Sequence, residues 1–117
     1  MVYWPIIAAA AAASSVQPGS KVDQDLHCLA AFSLVGDSAK GEDKPSIMII
    51  AMFYVGRLDA EAPGLDLEDA LADVISAPGY RASSFQADIA RCSAEMEAKA
   101  GELKKVGKAL TDRGSKN

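Results

Sequence analysis

Nine consecutive apolar residues, Ile47 to Val55, lie near the middle of the chain within the stretch PSIMIIAMFYVGRL from Pro45 to Leu58. A run of that kind needs cover on every side, so the remaining segments have to be built around it. Periodicity alone does not separate a buried strand from a buried helix. Met48, Met52 and Ala51 favour helix, while three Ile and Val55 pull toward strand. Context decides for a helix, because every later segment reads as helical. Pro45 suits the first turn, where a missing N–H costs nothing, with Asp43 or Lys44 at the cap. Nine residues fall well short of the ~20 that a membrane span needs, so the run is expected to be a buried central helix.

The 117 residues leave room for one domain with a modest core. Half of them are apolar, but many are Ala, which points to closely packed helices. Twelve basic against sixteen acidic side chains give a net charge of −4 and a pI near 4.9. That balance, without a dominant Lys/Arg patch, argues against a nucleic-acid partner and against an anionic membrane surface. No P-loop, dinucleotide-binding or EF-hand pattern is present.

Residues 1–20, MVYWPIIAAAAAASSVQPGS, carry no charged side chain. Ile6 to Ala13 makes a short apolar segment, followed by small residues where a signal peptidase cuts, so 1–15 read as a signal peptide. A flexible lead-in over 16–24 is expected to follow. Cys28 and Cys92 are the only cysteines. In an exported chain such a pair is most simply one disulfide; in a reducing compartment it would be two buried thiols. No membrane span is expected once the leader is removed.

Four helices account for 25–112, with a disordered tail over 113–117. The first, DLHCLAAFSLVG (25–36), is apolar nearly all round, with Asp23 or Asp25 as cap and Gly36 as stop. The central helix follows a polar loop and ends around Arg57–Asp59. A third helix places Leu67, Ala70, Leu71, Val74 and Ile75 on one face and Glu68, Asp69 and Asp73 on the other, with Asp66 as N-cap. Ser83 and Gln86 resemble a capping box for a last helix of roughly 25 residues. Its stripe runs through Phe85, Ile89, Cys92, Met96, Leu103, Val106 and Leu110, and it is frayed from Thr111. Its length predicts that the C-terminal half projects or packs on a partner.

No arrangement of side chains points to catalysis. His27 and Cys28 are adjacent, about 100° apart on a helix, and two Cys with one His leave a zinc site short of ligands. Glu68, Asp69 and Asp73 fall on a polar face, where solvated carboxylates do no acid–base work. Arg57 is expected to pair with Asp59 or the third helix. Tyr54 and Met52 could line a pocket, though core packing explains them equally well. No metal or cofactor is expected, and no binding residue is assigned.

With the order of features in place, the chain resembles the small periplasmic acid-resistance chaperones of the Hde type. HCLAAFSL (27–34) is similar to that family's opening around its first Cys, MFYVGRLDA (52–60) to its aromatic-x-x-Gly helix end, IARC (89–92) to its second Cys, and KAGELKKVGKAL (99–110) to its Lys-rich last helix. The resemblance implies an exported all-helical protein, a Cys28–Cys92 disulfide and an acid-stress chaperone. Taken with the residues, the expectation is a periplasmic or secreted, non-catalytic binding protein. The alternatives are an oligomeric or partner-binding module using the last helix, or a small ligand or lipid carrier. A protein partner or self-association is expected in either of the first two.

Overall fold

The computed structural model describes residues 16–115; the expected leader and the last two residues lie outside them. Four α-helices follow one another: α1 (Lys21–Ser38), α2 (Asp43–Glu61), α3 (Leu67–Ser76) and α4 (Phe85–Gly114). A single π-helical turn, Tyr80–Ser84, leads into α4. No strand occurs among the described residues.

The buried helix at the centre is α1, which packs against α2, α3 and α4. Leu26, Cys28, Leu29, Ala30, Ala31 and Phe32 are all buried on it. Its small residues allow that crowding: a Cβ on Gly36 would stand 3.2 Å from Ile47 Cγ2, so α2 can approach closely there. The nine-residue run does fold as a helix, but as α2 it buries a stripe, Ala51, Tyr54 and Leu58, and leaves its other face in water. Ile49 is 70% exposed and Met52 64%. The cover expected on every side is therefore present on one.

Cys28 and Cys92 form a disulfide between α1 and α4, with Cα atoms 5.7 Å apart. It closes a loop across 64 residues of separation, for which chain entropy alone gives about 4 kcal/mol. Such a bond belongs to an oxidising environment.

Helix ends differ in detail from expectation. Ser20, rather than Asp23 or Asp25, caps α1 by accepting from the Asp23 N–H, so helix already occupies Lys21–Gln24 of the expected lead-in. Gly36 does not stop that helix, which runs to Ser38. Asp66 caps α3 as expected, accepting from the Asp69 N–H. The capping box at Ser83 does not form: its hydroxyl donates to the Gly79 carbonyl within the π-helical turn. At the other end α4 continues past Thr111 to Gly114 instead of fraying.

Candidate binding surface

Antiparallel packing sets the directions of the helices. Asp25 of α1 meets Arg57 of α2, while Gly36 meets Ile47. Likewise His27 meets Asp88 of α4, Gln24 meets Arg91 and Lys21 meets Glu95. Hence α4 runs back along α1 and leaves the body beyond the N-terminal end of α1. From Ala100 onward every described residue of α4 is exposed. This arm keeps its apolar stripe, with Leu103 71% and Leu110 60% exposed and Val106 between them.

Among the described residues, the exposed large apolar side chains fall in two places only: Leu103, Val106 and Leu110 on the arm, and Met48, Ile49 and Met52 on α2. Beside the α2 patch lies a shallow groove of about 390 Å³, walled by Leu29, Met52, Val55, Leu67 and Leu71. A wider, open groove of about 1070 Å³ runs between the start of α1 and α3; Asp23, His27, Asp66, Asp69 and Asp73 reach it. Of these, Asp66, Asp69 and Asp73 are exposed, as expected of a polar helix face.

What fixes the exit of the arm is a knot of charge around the buried Asp25. Asp25 is fully buried and takes two hydrogen bonds from Arg57, at 2.6 Å from Nη2 and 3.0 Å from Nε. Arg57 also reaches Glu95 of α4 at 2.9 Å, and its guanidinium lies 5.0 Å over the Phe53 ring. Tyr54 donates to the other Glu95 oxygen at 2.9 Å, and Lys21 closes the knot on Asp25 at 3.0 Å. Burial works to raise the Asp25 carboxyl, but hydrogen bonds led by Arg57 outweigh it and hold the group at about 2. Glu95 is likewise lowered: burial opposes, and the hydrogen bonds from Tyr54 and Arg57 prevail. Glu61 moves the other way, raised first by burial and then by the Asp25 carboxylate facing it. Its Oε1 is buried without a hydrogen-bond partner.

Arg57 thus pairs with α1 and α4, not with Asp59 or α3. Tyr54 is a core residue, and Met52 lines the shallow groove. His27 bonds Asp88 at 2.7 Å and packs edge-on against Tyr80, whose hydroxyl is buried and unpartnered. No group of His, Cys, Asp and Glu among the described residues has the arrangement of a metal site. Tyr54, Arg57 and Glu95 line neither groove and instead join α1, α2 and α4. No described helix is long and apolar enough to cross a membrane.

One of the two surfaces is signalled in the sequence. The length of the last helix predicts an arm. The exposed face of α2 was hidden, because its residues continue the same apolar run that supplies Tyr54 and Leu58 to the core. Compared with protein-family models, curated proteins and solved structures, the chain matches none.

Proposed function

We propose that this chain is an exported, non-catalytic protein-binding module that engages its partner through the arm of α4. The observation carrying this reading is a helical segment, Ala100–Gly114, with no tertiary cover and a continuous apolar stripe flanked by Lys104, Lys105 and Lys108. Short helices standing alone are marginal in water, whereas amphipathic ones gain stability when their apolar face enters a groove. The disulfide and the leader pattern of 1–15 support a periplasmic or secreted location.

A photo-crosslinking residue at Val106, in the full chain exported from a Gram-negative host, tests the arm directly. Discrete protein adducts are expected there, and none from the same residue at Ser76 on the exposed side of α3. An arm that yields no adduct would remove the reading.

The charge knot favours a second reading, an acid-stress protein resembling the Hde type. Strong acid protonates Asp25 and Glu95, frees Arg57 and loosens α1 from α2 and α4. This reading expects the protein to suppress aggregation of an acid-unfolded client at about pH 2–3 and not at neutral pH. Equal client scattering with and without the protein in acid would sink it.

A further inference from the structure

We infer that the partner of the arm is a second copy of this chain, whose α2 face of Met48, Ile49 and Met52 receives Leu103, Val106 and Leu110. The inference rests on the arm being a docking element and goes on to name what it docks to.

Three observations select a second copy. The first is direction. Met48 and Ile49 lie toward the end of the body where α1 finishes, while α4 leaves past the end where α1 begins. Because α4 is one unbroken helix through Gly114, the arm cannot turn back onto the α2 face of its own chain. Both patches are left uncovered within a single molecule.

The second is charge. Residues 16–98 hold fourteen acidic and six basic side chains, a net of −8. Residues 99–117 hold six basic and two acidic, a net of +4. Glu42 and Asp43 stand at one end of the α2 patch, where Lys44 offsets one of them, and Asp59 near the other, so the balance around the patch is acidic and opposite in sign to Lys104, Lys105 and Lys108 on the arm. Body and arm of different molecules attract, whereas two arms or two bodies repel.

The third is fit. Leu103 and Leu110 are seven positions apart, about 10 Å of helix rise. The exposed α2 patch from Met48 to Met52 covers about 6 Å, and the groove beside it prolongs the apolar surface through Val55, Leu67 and Leu71, with the adaptable Met52 between them and Ser33, Asp37 and Lys44 at its rim. Exchange in both directions about a two-fold axis covers both patches on both chains and closes the assembly. One-way docking would instead extend into a filament.

The test uses the purified, oxidised full chain after leader removal, followed by sedimentation equilibrium across a concentration series, with cross-linking from Val106 in a mixture of isotopically light and heavy protein. A concentration-dependent dimer is expected, with light–heavy cross-links ending on Met48–Val55. Ile49→Glu and Val106→Glu, both at exposed positions that leave the core untouched, are each expected to weaken the dimer by at least about tenfold. Helical content by circular dichroism verifies that both variants fold. Lys104→Glu with Lys105→Glu is expected to weaken it in the same direction. A monomer at every concentration would overturn the inference, as would a dimer indifferent to Ile49→Glu, which would mean that the arms pair with each other. If Val106 cross-links to a different protein in the exporting cell while the purified chain stays monomeric, the arm remains a docking element and only the choice of a second copy fails.

Discussion

At Asp25 a carboxylate has been withdrawn from water, and the cost is met by a two-pronged contact with Arg57 together with Lys21. Replacing such a pair with apolar groups is often tolerated, whereas removing one partner strands a buried charge. Arg57→Met is therefore expected to lower unfolding free energy by about 3 kcal/mol, toward the lower end for a buried pair because Lys21 still reaches Asp25. The double variant Asp25→Leu with Arg57→Met is expected to lose less than the single one, which urea unfolding at neutral pH measures. That Arg57 forms an ion pair is legible in the sequence; its partners are not. Asp25 reads as a helix cap, since an Asp near the start of an apolar helix usually is one. Its partner lies 32 residues away, whereas Asp59, two residues from Arg57, offered a nearer one. Local spacing says nothing of ion pairs that form only when helices pack.

Among the elements, α3 and the existence and length class of α4 are legible because each shows one apolar stripe against a polar face, whereas the start and end of α4 are not. Nor is the order of burial between α1 and α2. Composition ranks α2 as the more apolar, but burial follows how many neighbours a helix touches, and Ala30, Ala31 and Gly36 let α1 touch three. The arm of α4 is held by helix propensity and by i,i+3 and i,i+4 pairs such as Lys99–Glu102 and Lys108–Asp112. Gly101 and Gly107 oppose it, each costing roughly 1 kcal/mol relative to Ala in a helix interior. A Cβ at either position meets nothing within 4 Å. Gly107→Ala is accordingly expected to slow amide hydrogen exchange across Ala100–Gly114 by up to about fivefold in dilute protein, with α1 unchanged. Mass spectrometry of peptic fragments reads both segments in one experiment.

For the molecule as a whole, the carboxylates of the knot give stability a definite pH profile. Asp25 and Glu95 sit below their ordinary values, so the stability they contribute is complete above about pH 5 and is lost as pH falls toward 2. The drop of Asp25 from 3.8 to about 2 corresponds to about 2 kcal/mol. Glu61 has the opposite sign: ionised beside Asp25 it destabilises the fold, and its protonation relieves this and lets it donate to Asp25. Thermal melts are expected to pass through a maximum between the protonation of Glu61 and that of Asp25 and Glu95, and to fall as pH drops toward 2. Glu61→Gln is expected to raise the neutral-pH melting temperature and flatten the approach to that maximum. A profile that declines steadily from pH 7 would mean that Glu61 carries no strain.

The separation of acidic body from basic arm has a further consequence along the 74 Å long axis. It endows each molecule with a permanent electric dipole, and two such dipoles drifting side by side settle antiparallel before any apolar atoms meet. That is the orientation a two-fold exchange of arms requires. In the proposed exchange of arms the field favours the productive orientation, against the repulsion of two chains of net charge −4, and added salt screens both.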